Sequence, residues 1–181
     1  MSFRTLLVAV LLFLCGISQS VYGQRVSLKT NALGWATLSP NLGLELRLSR
    51  HNTLNLEGSI NPFKFGDHSL RHVMFSPEVR HWFSGRPQTR HFCGVMAVGG
   101  AYNVMLKDDI HHGMALGIGG TYGYSFVLGQ RWSMELTAGV GFLHRSEKTR
   151  PHTSPSSEDR NRHINGFYPL KLGVNFVYIL K

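Results

Sequence analysis

An apolar residue at every second position, sustained over most of the chain, constrains this sequence more than any other feature. Leu42, Leu44, Leu46 and Leu48 alternate with Asn41, Gly43, Glu45 and Arg47, a period that a helix cannot gather onto one face. Leu54, Leu56, Gly58 and Ile60 alternate with Asn55, Glu57, Ser59 and Asn61 in the same way. Val73, Phe75, Pro77 and Val79 alternate with Met74, Ser76, Glu78, Arg80 and Trp82. The clearest cases come later. Met114, Leu116, Ile118, Gly120, Tyr122, Tyr124 and Phe126 oppose Ala115, Gly117, Gly119, Thr121, Gly123 and Ser125. Trp132, Met134, Leu136, Ala138, Val140 and Phe142 oppose Ser133, Glu135, Thr137, Gly139 and Gly141. With the stretches 26–33, 92–104 and 170–180, the pattern predicts about eight strands of roughly 8–13 residues, the length of a tilted strand that crosses a bilayer.

The chemistry of the two faces separates a membrane barrel from a soluble sandwich or lipocalin-like barrel, where strands also alternate. A soluble barrel turns its large apolar residues inward and its charges outward. Here the charged strand residues share a face with glycine, which suits a narrow lumen, and the other face is apolar on every strand. Charged residues make up only 16 % of the chain and glycine is abundant, at 20 residues. Mean hydropathy is nevertheless −0.08, far below that of a helical membrane protein. The expected fold is all-β: a single, about eight-stranded antiparallel transmembrane up-and-down β-barrel following a cleaved signal peptide.

That peptide is expected over 1–23, with the barrel domain over 24–181. Arg4 supplies a positive start, residues 6–17 an apolar segment too short to span a bilayer, and Val21-Tyr22-Gly23 a cleavage site before Gln24. Cys15 offers a lipoprotein alternative, against which the bulky Phe13 and Leu14 stand. Cleavage at Gly23 leaves Cys93 as the only thiol, expected on the small-residue face of its strand as a buried, inert group.

Connections 49–53, 84–90 and 129–131 are short, as periplasmic turns are, whereas 62–72, 105–112 and 145–163 are longer, as outer loops are. The first outer connection, near 37–40, is short and breaks this pattern. Trp35, Phe63, Phe83, Tyr102, Phe126, Trp132, Phe142, Phe167 and Tyr178 fall near strand ends, where aromatic girdles belong.

The segments Lys29-Thr30-Asn31-Ala32-Leu33 and Ser39-Pro40-Asn41-Leu42-Gly43-Leu44-Glu45 resemble the opening of an uncharacterised Bacteroidota outer-membrane β-barrel family. Pro77-Glu78-Val79-Arg80-His81-Trp82-Phe83 resembles it too, as do Tyr122-Gly123-Tyr124, Glu135 and Gly139-Val140-Gly141. The resemblance covers nearly the whole mature chain and implies a barrel of the OmpX and OmpA size class, whose members can accompany fimbria-like surface systems. The chain ends at Leu180-Lys181, without the terminal aromatic common in such barrels.

Eight charges fall on the polar strand face: Lys29, Glu45, Arg47, Glu57, Glu78, Arg80, Glu135 and Lys171. Four of each sign in a narrow barrel are expected to form an ion-pair network that fills the lumen, since a desolvated charge needs a partner. The formal net charge of +9 therefore sits outside this set. Its possible counterparts are lipid phosphates at the membrane faces, lipopolysaccharide included. An exported barrel has no access to nucleic acid. Segment 145–163, with Arg145, Lys148, Arg150, Arg160 and Arg162 among serines and prolines, is the candidate partner-binding loop.

No catalytic set, metal site or cofactor is expected. The pairs His111-His112, with Asp108 and Asp109 nearby, and His68/His72 do not define a tetrahedral site, and no cysteine joins them. The sequence thus points to a non-enzymatic barrel of the cell outer membrane, with a structural or surface-interaction role and an adhesin or fimbrial protein as a possible partner. A small channel or ligand carrier through the lumen is the alternative, and a lipid-modifying enzyme the third reading.

Overall fold

The structure, a computed structural model, describes residues 25–61, 64–65, 68–106, 109–151 and 160–180; the leader expected over 1–23 lies outside them. The chain runs through β1 (Val26–Asn31), α1 (Ala32–Ala36), β2 (Asn41–Arg47), β3 (Asn52–Asn61), the two-residue β4 (Lys64–Phe65), β5 (His68–Trp82), β6 (Arg90–Leu106), β7 (Asp109–Val127), β8 (Trp132–Pro151) and β9 (Arg160–Ile179). Each long strand pairs antiparallel with the next, β3 pairs with β5 past β4, and β9 closes onto β1. The result is a closed eight-stranded up-and-down barrel, as the alternation implied, with β4 an addition to the β3–β5 hairpin.

Its strands are strongly staggered. A walk along paired residues from Ile179 passes Ser27, Glu45, Asn55, Glu78, Met96, Gly119 and Gly141 and returns to β9 at Tyr168. That offset tilts the strands against the barrel axis, commonly by about 35–45°. The alternation then sorts side chains by face. Glu45, Glu135 and Asn55 are fully buried inside, while Val95, Leu116, Ile118 and Phe142 stand outside with 50–62 % of their surface exposed.

Chain lengths differ between the two sides of the barrel. β1 and β2 have 6 and 7 residues, whereas β8 and β9 have 20 each. At the short end of this rim Asn31 caps α1, its side chain accepting from Leu33 N at 3.1 Å. Asn31 N donates to Asn41 Oδ1 at 2.6 Å, and Asn41 Nδ2 donates back to Asn31 O at 3.0 Å. This reciprocal staple and the one-and-a-half-turn helix explain how so short a first connection closes the β1–β2 hairpin.

Where the longer connections were expected, paired strand continues. Thr149 still lies opposite Arg160, and Leu106 opposite Asp109. Most of the segment expected as a partner-binding loop over 145–163 is therefore hairpin: Arg145, Lys148 and Arg150 belong to β8, and Arg160 and Arg162 to β9. Proline and serine content signalled a loop, but cross-strand pairing continues through Arg145 to Pro151. The side chains of Lys148, Arg150, Arg160 and Arg162 lie outside the described residues.

A bulge interrupts β8–β9, where Gly139 opposes Lys171 but Val140 opposes Pro169. The extra residue, Leu170, turns inward onto two glycines. A Cβ on Gly119 or Gly141 would sit 2.8 or 2.7 Å from Leu170 Cδ1, so only glycine leaves room for that side chain.

Candidate functional site

Seven of the eight charges expected in the lumen meet there. Lys29, on β1, sends Nζ to both carboxylate oxygens of Glu135 on β8, at 2.9 and 2.7 Å, and also pairs with Glu45 on β2. Arg80, on β5, donates from Nη1 to Glu135 Oε2 at 3.0 Å and from Nη2 to Glu78 Oε2 at 2.9 Å. Its Nη1 also lies 3.5 Å from Glu45. Lys171, on β9, donates to Glu78 Oε2 at 3.0 Å and to Glu57 Oε2 at 2.7 Å. Six strands thus contribute to one continuous array, which reaches residues up to 114 positions apart in sequence.

Neutral groups complete it. Thr121 Oγ1 donates to Glu78 Oε1 at 2.6 Å, and Asn55 Nδ2 donates to Glu78 Oε2 at 3.3 Å. Thr53 donates to Glu45 Oε1 and accepts from Trp82 Nε1 at 3.0 Å. Gly94 makes space beside this array, because a Cβ there would lie 2.6 Å from Thr121 Oγ1 and 2.9 Å from Glu78 Oε1. The Arg80 guanidinium lies 4.6 Å from the centroid of the Phe92 ring, a cation–π contact, and Trp82 packs against Phe92 at 4.7 Å. Buried charges are stable here because each has opposite charge and hydrogen-bond partners at short range.

Arg47 is the exception. It shares the inward face of Glu45 but sits at the last position of β2, and its Nε donates to Ser49 O at 3.1 Å, outside the network. Alternation assigns a residue to a face and says nothing of its height along the lumen. The network is therefore not balanced: Lys29, Arg80 and Lys171 face Glu45, Glu57, Glu78 and Glu135.

Gln88 is a lumen residue that no pattern in the sequence signals. The turn between β5 and β6 folds back with φ +61° at Gln88 and +61° at Arg90, and carries the Gln88 side chain into the barrel end. There its Nε2 donates to Ser27 Oγ, and Ser125 Oγ donates to Gln88 O at 3.0 Å. Gln88 is 5 % exposed, so this short turn closes one end of the lumen.

Two further expectations change. Tyr102, expected in an outer girdle, points inward over Gly113 and accepts from Arg145 Nη2 at 3.2 Å. Cys93, expected on the buried face, lies on the outward side of β6 because Phe92, Met96 and Val98 take the inward positions. Cross-strand register decides the face: Met96 and Gly94 lie opposite the inward Glu78 and Arg80, so Cys93, opposite His81, faces out. Trp35, Phe83, Phe126, Trp132, Phe142 and Phe167 do stand exposed on the outside.

Among the described residues no group of three or more His, Cys, Asp or Glu could hold a metal ion. The array offers fixed opposite charges, which make a rigid lumen filling. No curated protein and no solved structure matches the chain. A family model does, over residues 9–180, and the chain belongs to the family described as protein of unknown function (DUF3575).

Proposed function

We propose that this chain is an outer-membrane β-barrel that spans the bilayer and serves a structural or cell-surface interaction role, without enzymatic activity. One observation carries the reading: the barrel is built with its charges inside and its large apolar side chains outside. Leu42, Val73, Val95, Met114, Leu116, Ile118 and Leu172 are all more than half exposed on the outer wall, while Glu45, Arg80 and Glu135 are buried. In water, so wide an apolar surface drives association; in a bilayer it is the stable arrangement. Closure matters as much, since a barrel leaves few unpaired backbone groups to face lipid.

The likeness to Bacteroidota barrels of the OmpX and OmpA size class, the leader and the outer-membrane location belong to the same proposal. Its neighbours there are outer-membrane lipids and lipopolysaccharide. The tall β6–β7 and β8–β9 hairpins are the surface on which an adhesin or fimbrial protein would dock. The filled lower lumen supports a structural role over a channel.

Fractionation combined with gel mobility tests this reading. A barrel in the outer-membrane fraction migrates differently on a denaturing gel before and after boiling. A protein released in soluble form from the periplasm, with no such shift, would overturn the membrane reading.

A further inference from the structure

Above the ion-pair array the lumen holds a cavity of about 140 Å³. Met74, Met96, Val98 and Leu170 wall it, and the Glu57–Lys171 ion pair borders it on the side of the network. Its position relative to the strand edges determines what can enter.

β1 runs beside β9 only as far as Asn31, opposite Asn175. Among the described residues, β9 from Arg160 to Val174 has β8 on one side and no strand on the other, where α1 packs against it beyond Asn31. Asn31 caps the start of this edge: its Nδ2 donates to Leu172 O at 3.1 Å and its Oδ1 accepts from Val174 N at 3.2 Å. Pro169 brings no N–H to the stretch beyond. The cavity touches Asn31, Lys171 and Leu172 together. Neighbouring residues of a strand point to opposite sides of the wall, and Leu172 is 69 % exposed on the outside. The cavity therefore reaches the edge of β9 at Leu172, where β1 stops and α1 begins.

The polar side of the cavity has a sign. The seven network charges comprise three cations and four carboxylates. Glu57 is the most exposed of the four, its side chain 18 % accessible against none for Glu45, Glu78 and Glu135. It pairs with Lys171, which Glu78 shares. Asn31, Ser59 and Ser76 add amide and hydroxyl groups to the lining, and Met74, Met96, Val98 and Leu170 supply its apolar part; methionine adapts readily to a hydrocarbon chain.

We propose that this cavity binds the ammonium end of a single-chain amphiphile, with the ammonium against Glu57 and the alkyl chain leaving past Leu172. A fourth cation balances the network, and the chain covers the open edge of β9. Exit of the chain into lipid rests on the membrane reading above; binding of the ammonium end in the cavity does not.

The test uses the mature chain, labelled with [methyl-13C]methionine, in lipid nanodiscs and titrated with decylammonium or decanoate. Met74 and Met96 report on the cavity, and the outward Met114 reports on general partitioning into lipid. Saturable shifts of Met74 and Met96 with decylammonium are expected, with little response to decanoate. Glu57→Gln should weaken decylammonium about tenfold, the scale of one charge-assisted hydrogen bond. Val98→Trp, which fills the cavity, should abolish the shifts, and an unboiled gel shift shows whether each variant keeps its barrel. Equal response to both amphiphiles, an unchanged affinity in Glu57→Gln, or still cavity methyls would overturn the proposal. A chain that fails to co-elute with nanodiscs counts against the membrane reading instead. Butylammonium and butyrate in plain buffer then decide the site by the same criteria.

Discussion

Lys29 and Glu135 lie 106 residues apart in sequence, yet Lys29 Nζ meets both Glu135 carboxylate oxygens, at 2.7 and 2.9 Å, across a lumen that excludes solvent. Lys29→Met leaves two carboxylates without their nearest cation and is expected to cost about 3–5 kcal/mol of stability. Adding Glu135→Gln to that variant should recover part of the loss, with a coupling of about 1–3 kcal/mol. Urea unfolding of the four proteins in the cycle measures it; strictly additive losses would show that the pair is not coupled.

Glycines on the inner face should differ sharply from a glycine in a turn. A Cβ at Gly141 would collide with Ile118 O and Gly119 Cα, both backbone, whereas one at Gly129 meets nothing within 4 Å. Gly141→Ala is expected to lose about 1–3 kcal/mol through overpacking, and Gly129→Ala less than about 0.5. Comparison of their unfolding midpoints checks this.

The Gln88 plug can be removed without touching a strand. Gln88→Ala leaves the Ser27 hydroxyl without this partner and keeps a left-handed backbone at a residue with a Cβ, for a loss of about 1–2 kcal/mol. Hydrogen exchange should quicken at Ser27 and Ser125, next to the turn, and stay unchanged at Met114, near the far end.

Charge on the outer wall distinguishes lipid from water as its surroundings. Ile118→Lys places an ammonium in the middle of the apolar wall and should cost about 2–4 kcal/mol if that wall faces hydrocarbon. On a soluble barrel the same change stays within about 0.5 kcal/mol. Refolding yield into lipid vesicles against the parent chain reads the difference.

Much of this architecture is legible in residue order. Alternation on β2, β3, β5, β7 and β8 assigns faces correctly, and with them Glu45, Glu57, Glu78, Arg80 and Glu135 to the interior. It works because successive strand residues must point to opposite sides of a wall, whatever their partners. Where patterns ran short, the assignment failed: on β6, inward Phe92 and Met96 reverse the face expected for Cys93, and prolines and serines near 151–157 concealed the length of the β8–β9 hairpin.

Residue order therefore determined that the chain closes into an inside-out barrel of about eight strands and which charges turn inward, because both depend on local periodicity. Only the tertiary structure decided which of those charges meet, since height in the lumen follows from strand stagger. Stagger leaves Arg47 at the mouth, brings Lys29 to Glu135, and sets the last residue of β1 opposite Asn175, well short of the far end of β9. Cross-strand register is a property of the closed sheet as a whole, and no single strand carries it.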